Sequence, residues 1–330
     1  MKKILVTGGY GFIGSSFVLK QVEKGNLIVN LDKLTYAANL DNLQEIVENK
    51  NYIFKKGDIC DASLVKKILV ENQIDWLVNF AAESHVDNSI KAPEEFIKTN
   101  INGVYNLLNE SLIYFNNLSG NKKDQFRFLH VSTDEVYGSL TLDELAFTEE
   151  STYKPNSPYS ASKAASDHLV RAWNETYGLP TITTNCSNNF GPRQHGEKLI
   201  PTIINSCVND KNIPIYGNGT NIRDWIFVED HANGIELALQ NGEIGKTYCF
   251  GGRAEKQNIQ IVNLICEILD EIKPRADKKS YKNQITFVTD RLGHDKRYAI
   301  NDDKARKNLG FITEKSFETR IRETIEWYLK

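Results

Sequence analysis

Three consecutive side chains, Thr133, Asp134 and Glu135, set a hydroxyl beside two carboxyls within the segment FRFLHVSTDEVYG. Adjacent carboxyls held away from water resist double ionisation, so one keeps its proton while the other acts as a base. Further along, PYSASKAASDHLVRAWNETYG carries Tyr159 and Lys163 four residues apart. On a helix that spacing sets phenol and ammonium on one face. A nearby ammonium favours phenolate, which makes Tyr159 a candidate base near neutral pH. A Tyr and a Lys at helical spacing usually only pack and solvate, and an acid pair usually only makes a turn or a cap. The elements around these residues decide between the two readings.

Phe126, Phe128, Leu129 and Val131 make 126–132 a strand, and Gly138 stops the segment. The acids then stand where the strand runs out, which is the ligand-binding end of an open parallel sheet. The N-terminal KKILVTGGYGFIGSSFVLKQVEKG reads as strand, glycine-rich turn and helix. Gly8, Gly11 and Gly14 are spaced GxxGxxG, with Gly9 adding freedom to the turn. Such glycines let backbone approach a pyrophosphate at a helix N-terminus. A second strand, LIVNLD, ends at Asp32, 18 residues after Gly14. An acid there accepts hydrogen bonds from ribose hydroxyls and repels a 2′-phosphate, so NAD is favoured over NADP, although Lys33 follows directly.

The alternation continues. A strand from Tyr52 leads to Gly57-Asp58-Ile59, a helix spans 61–72, and DWLVNFAA (75–82) is a buried strand. Apolar Phe96, Ile97, Ile101, Val104, Leu108 and Leu112 mark one long helix over 93–116. A loop fills 138–156, the Tyr159 helix follows, and Thr181–Cys186 is a further strand. This order implies an α/β fold, a Rossmann-type doubly wound parallel sheet with a smaller C-terminal α/β substrate domain. We divide the chain at 1–186 and 187–330, with about 222–250 rejoining the sheet domain. Beyond Cys186 the reading gives helices at 229–241, 259–272 and 317–329.

With 330 residues, 40% hydrophobic and 25% charged, the chain is long for one core and ordinary for a globular protein. A net charge of -3 and no long basic run give no nucleic-acid or membrane surface. The longest apolar runs fall well short of the ~20 residues that span a bilayer, and ILVTGG is too short for a signal peptide. Five scattered cysteines without CxxC read as reduced thiols in the cytoplasm, and the six histidines show no metal-ligand spacing.

Taken together, TGGYGFIG, Asp32, GDI, FAAESHVD and YSASK resemble the extended short-chain dehydrogenase/reductase family of NAD-dependent epimerases and dehydratases. LDKLTYAANLDNL, AAESHVDNSI, VSTDEVYG, NCSNNFGPRQHGEKLIP and DRLGHDKRYAI resemble, within it, the dehydratase branch whose substrate is dTDP-glucose. The resemblance spans essentially the whole chain, and STDEVYG is its most specific part. It implies that Gly8, Gly11, Phe12, Ile13, Gly14, Asp32, Lys33, Leu34 and Thr35 hold NAD. Asp58, Ile59, Phe80, Ala81, Ala82, Glu83, Ser84, Thr99, Tyr159, Lys163 and Asn189 join them. It implies a sugar-nucleotide site of Ser84, Thr133, Asn188, Lys198, Leu199, Pro214, Ile215, Tyr216, Arg223 and Asn258, closed by Asp290, Arg291, Leu292, Gly293 and His294. Two departures, RQHGEKL and DRLGHD, each lack an expected proline beside these substrate positions.

The chemistry implied is loss of the 6-hydroxyl from the sugar. The C5 proton becomes acidic once C4 is a ketone, so the site needs a hydride acceptor, two bases and an acid. NAD supplies the first, Tyr159 with Lys163 the C4 base, Glu135 the C5 base and protonated Asp134 the acid, with Thr133 on the C4 oxygen. Other readings of the same residues are an NAD-dependent nucleotide-sugar 4-epimerase or decarboxylase, and a non-catalytic nucleotide sensor. Apolar surface on the 93–116 and Tyr159 helices, including Tyr105, Leu169 and Trp173, together with the resemblance, implies a homodimer built on a four-helix bundle.

Overall fold

The computed structural model describes residues 1–290 and 294–330. Seven parallel strands form the central sheet: Lys3–Thr7 (β1), Leu27–Asp32 (β2), Tyr52–Lys56 (β3), Trp76–Asn79 (β4), Arg127–Thr133 (β5), Thr181–Cys186 (β6) and Thr247–Phe250 (β7). Their order is β7-β6-β5-β4-β1-β2-β3. The chain winds outward from β1 to β3, then returns beside β1 and winds the other way. That reversal opens a crevice beyond the carboxyl ends of β1 and β4.

Alternate residues of each strand enter opposite cores. Ile4, Val6, Val78 and Val131 meet Phe12–Glu23 (α1) on one face. Leu5, Leu77 and Phe128 meet Ala62–Asn72 (α2) and Val104–Asn116 (α3) on the other. Burial on both faces explains why these strands read as continuous apolar runs. Pro158–Tyr177 (α4) is delimited by local signals. Ser157 and Ser160 form a capping box, Pro158 opens the first turn, and Gly178 ends the helix in the left-handed region at φ 71°.

The segment expected as one helix over 93–116 is helical throughout, but its hydrogen bonding widens to a π pattern over Ile97–Gly103 before α3. Asn100, within that stretch, is buried and clamps the loop after β4. It accepts from the Glu83 amide at 2.9 Å, donates to the Glu83 carbonyl at 3.0 Å, and reaches Ser162 of α4 at 2.9 Å. π segments of this kind recur at functional sites.

A separate core gathers Leu199–Val208 (α5), Asn258–Ile272 (α7) and Phe317–Tyr328 (α8) around Phe190, Ile213 and Trp225. Between α5 and α7 the chain returns to the sheet as Val228–Asn241 (α6), whose Ala232, Ile235 and Leu239 pack with Ile4 and Phe17. Among the described residues no helix is long and apolar enough to cross a membrane.

His231 on α6 is fully buried, and its Nδ1 lies 2.8 Å from Asn189 Oδ1, which makes Nδ1–H the donor. Burial lowers its pKa from 6.5 to about 3. Between those two pH values the unfolded chain binds a proton that the folded chain refuses. Stability is therefore full above pH 6.5 and falls as pH drops toward 3. The loss is roughly 4–5 kcal/mol at its limit. Urea unfolding followed over this range is expected to show that slope, and His231→Gln to flatten it.

Candidate active site

A cleft of about 320 Å³ opens at the carboxyl ends of the strands. One wall is the glycine turn after β1. Gly8 has φ 72°, and a Cβ there would meet Ala81 backbone at 2.8 Å; one on Gly14 would meet the Gly8 carbonyl at 2.3 Å. The turn is therefore pressed against both the β4 loop and its own helix, where side chains have no room. Asp32 holds it in place: its Oδ2 accepts from the Tyr10 amide at 2.9 Å and its Oδ1 from the Leu34 amide at 2.8 Å. Burial raises the Asp32 pKa against those two bonds. Lys33 reaches over to Asp58 at 2.9 Å. Burial opposes ionisation of Asp58, but the Cys60 amide and Lys33 outweigh it and hold the carboxyl below its usual range.

Gly8, Gly11 to Gly14, Asp32, Lys33, Thr35, Asp58 and Ile59 line this end of the cleft, as expected from the sequence. Phe80 to Ser84, Thr99, Tyr159, Lys163 and Asn189 line the rest. Leu34 does not. Its amide caps Asp32 while its side chain packs on the core, in a left-handed turn at φ 60°.

Thr133, Asp134 and Glu135 all face the cleft from the end of β5. They also begin a single 3-10 turn, Asp134–Tyr137, with the Thr133 hydroxyl as its cap. The same three residues thus form the turn and line the cleft. Thr133 Oγ1 accepts from the Glu135 amide and donates to Asp134 Oδ1, each at 3.3 Å. Asp134 is 2% exposed and its Oδ2 has no hydrogen-bond partner among the described residues. Burial, then the neighbouring Glu135 and Asp224 carboxyls, push its pKa well up, toward the protonated form. That is the state an acid needs.

Tyr159 corrects an expectation. Helix α4 sets phenol and ammonium on one side, but Lys163 Nζ donates to the Val131 carbonyl at 2.8 Å and abuts His130 at 3.2 Å. In the chain alone, burial and the Glu135 charge raise the phenol pKa well above 10 instead of lowering it. The ammonium is turned to the strand, so it does not offset those two effects. Burial in turn lowers Lys163 to about 8.

The sugar-nucleotide positions divide. Ser84, Thr133, Asn188 and Lys198 line the cleft. Leu199 opens α5. Pro214 and Tyr216 point outward from the short strand Ile213–Tyr216, whereas Ile215 alternates into the second core at 2% exposure. His294 and Asp290 pair at 2.6 Å, with the His294 ring 6.3 Å from that of Tyr216. Arg223 is no solvated surface residue: it is 5% exposed and stacks on the Tyr298 ring at 4.2 Å. Asn258 opens α7, and its Oδ1 is buried without a partner among the described residues. Arg291, Leu292 and Gly293 lie outside the described residues.

Sequence reasoning passed over Cys186, Ser187, Gln194, His195 and Glu197, all of which line the cleft. Four follow β6, and the strand-end rule that found Thr133 would have found them too. Cys186 read as an ordinary buried thiol, and burial does push it up to about 12.

The family model described as GDP-mannose 4,6 dehydratase matches residues 5–324. A dTDP-glucose 4,6-dehydratase of Xanthomonas campestris pv. campestris strain B100 is 53% identical over 98% of this chain and 92% of its own length. Among solved structures, a dTDP-glucose 4,6-dehydratase of Bacillus anthracis in complex with NAD is 40% identical, with a TM-score of 0.88 over 100% of this chain and 97% of that one. The Streptomyces venezuelae enzyme, with NAD and TYD bound, is 39% identical, with a TM-score of 0.89 over 99% and 97%. The chain belongs to the dTDP-glucose 4,6-dehydratase family of the extended short-chain dehydrogenases/reductases.

Proposed function

We propose that this chain is an NAD-dependent hydro-lyase that converts dTDP-glucose to dTDP-4-dehydro-6-deoxyglucose. One observation carries the reading: a buried Asp134 beside Glu135, its carboxyl shifted toward the protonated form, at the same strand end as Thr133 and in one cleft with Tyr159 and Lys163. An epimerase or decarboxylase needs the tyrosine and lysine but not a separate acid for a departing hydroxyl. A sensor needs none of the four.

The residues fit NAD. The glycine turn leaves no room for side chains where a pyrophosphate lies against a helix N-terminus, and Asp32 stands at the end of β2. Gly8 to Gly14 would hold the pyrophosphate, Asp32 the adenosine ribose, and Tyr159 with Lys163 the nicotinamide end. When bound, NAD accepts a hydride from C4, returns it at C6, and brings a positive charge into the cleft.

Tyr159 takes the C4 hydroxyl proton, its phenolate favoured by its place in the first turn of α4, at the positive end of the helix dipole, and by the positive charge that NAD would bring. Glu135 takes the C5 proton, Asp134 protonates the departing 6-hydroxyl to water, and C5 is reprotonated. After one cycle Tyr159 has gained a proton and Asp134 has lost one. Thr133, which donates to Asp134 Oδ1 and stands beside Tyr159, is placed to pass it between them.

Arg223 and the Tyr216–His294 edge would take the nucleotide, where a guanidinium suits bidentate phosphate contact. The second core then serves as the sugar-nucleotide-binding part, with NAD on the sheet. We place the enzyme in the cytoplasm, where its five free cysteines would stay reduced.

Mass analysis after incubation with dTDP-glucose is expected to show loss of one water; an unchanged mass would favour an epimerase, and no reaction a sensor. Glu135→Gln is expected to slow elimination by about 10²–10⁴, the usual worth of a positioned base. Oxidation at C4 should survive, seen as near-ultraviolet absorbance of reduced nicotinamide, while exchange of the C5 hydrogen with deuterated water falls in parallel. Normal turnover in this variant, or no C4 oxidation with substrate bound, rejects the assignment.

Asp32→Ala is expected to weaken NAD by about 10–100-fold through lost charged hydrogen bonds, and to narrow the preference over NADP. Equal affinities before and after, by titration, would remove Asp32 from the ribose.

We also propose a homodimer across α3 and α4. Tyr105 is half exposed, its ring 5.7 Å from that of Trp173, and the Trp173 indole N–H has no partner among the described residues. Sedimentation at micromolar concentration is expected to give twice the chain mass; a monomer would reject it.

A further inference from the structure

The stripe of α4 that bears Tyr159 and Lys163 continues one turn further to Asp167. Asp167 is 4% exposed, and it touches neither the cleft nor solvent. Its Oδ2 accepts from the Ser132 hydroxyl at 2.8 Å, the Tyr153 hydroxyl at 2.9 Å and Asn185 at 3.4 Å. Its Oδ1 is buried without a hydrogen bond among the described residues and lies 3.5 Å from His130 Nε2. A carboxylate kept this deep with one oxygen uncompensated is costly unless a positive charge stands nearby.

His130 explains how that charge is kept. The Ala81 amide donates to Thr7 Oγ1 at 3.3 Å, Thr7 to Asn79 Oδ1 at 2.5 Å, and Asn79 Nδ2 lies 3.0 Å from His130 Nδ1. The amide must donate there, so Nδ1 is the acceptor and the ring hydrogen sits on Nε2. Nε2 therefore has no lone pair for Lys163, which approaches it at 3.2 Å and donates to the Val131 carbonyl instead.

We propose that Asp167 is a positioning residue for Lys163: its carboxylate is the buried counter-charge that keeps Lys163 an ammonium, while His130, locked as the Nε2–H tautomer, denies that proton a place to go. The other titratable groups facing this cluster are Tyr159 on α4, Tyr137 in the turn after β5, Tyr153 in the 138–156 loop, Cys186 on β6 and Cys249 on β7. Burial pushes all five up, so they stay neutral near pH 7. Asp167 itself rises only to about 6 and is ionised there, and among the described residues it is the carboxylate that favours the Lys163 charge. Lys163 and Asp167 both approach one atom, His130 Nε2, at 3.2 Å and 3.5 Å, and an opposite charge nearby typically moves a pKa by about 1–3 units.

The consequence for turnover rests on the proposed role of the Tyr159–Lys163 pair; the ionisation of Lys163 does not. The test titrates Lys163 Nζ by nitrogen NMR in the full chain with NAD bound, assigned by loss of the signal in Lys163→Met. Asp167→Asn is expected to lower the midpoint by about one unit or more. The alkaline limb of kcat against pH should move down equally, with KM for dTDP-glucose changed less than about twofold. Tyr153→Phe, which removes one donor from the carboxylate, should move both in the same direction by less. An unmoved midpoint in folded Asp167→Asn overturns the proposal and leaves Asp167 a structural residue. If that variant does not fold, an unmoved midpoint in Tyr153→Phe overturns it. A moved midpoint in a chain inactive on dTDP-glucose would instead sustain the Asp167 role and reject the proposed function.

Discussion

One hydrogen bond, from Lys163 Nζ to the Val131 carbonyl, joins the two stretches on which the site depends. It fixes α4 along β5, and with it the offset between Tyr159 in the first turn of α4 and the hydroxyl and carboxyls at the strand end. The amine is 3% exposed and donates to a carbonyl whose strand is hydrogen-bonded on both sides, so the pair cannot relax toward solvent. Asn100 adds a second tie, from the π segment to Ser162 on the same helix. Geometry of this precision would be hard to hold on loops alone.

The same burial sets the electrical character of the site. Charges withdrawn from water are costly unless paired, so carboxyls there shift toward the protonated form and amines toward the neutral one. Asp134 and Lys163 move in those two directions. For Asp134 the shift is useful, because an acid is wanted. For Lys163 it is a threat, because a neutral amine cannot stabilise a phenolate. A site that buries both groups at one strand end must let the first shift proceed and resist the second, and neighbouring carboxyls serve both ends: Glu135 and Asp224 push Asp134 further up, while Asp167 opposes the fall of Lys163.

Much of this was legible in the sequence because the sheet half is built from local signals. Glycines at fixed spacing, an acid at the end of β2, and a Ser-Pro start to α4 each act over a few residues. The second core was less legible. Helix α5 was not among the helices expected beyond Cys186; its Pro201 falls in the first turn, where a missing N–H costs nothing. Tyr216 and Arg223 were identified through resemblance, since short strands such as Ile222–Arg223 carry too few residues for a period. The π stretch left no trace either, because its apolar positions keep near-helical spacing. The Tyr159 pKa was misjudged for a different reason. Spacing reports which face a side chain occupies, not where its head turns, and Lys163 turns to the strand.

That last point bears on how the cleft handles charge through a reaction. With Lys163 turned toward Val131 and Tyr159 raised by burial and by Glu135, the chain alone holds its phenol firmly protonated. As the proposed base, Tyr159 would be made competent by what enters the cleft, through the positive charge that the oxidised cofactor would supply. Such an arrangement would tie the proposed proton step to a filled site, because the chain's own groups around Tyr159 oppose the phenolate. Hydride transfer would remove that positive charge, and burial and Glu135 would then hold the proton on the phenol until Thr133 relays it. On the proposed roles, C4 oxidation and proton uptake by Tyr159 would be coupled through electrostatics.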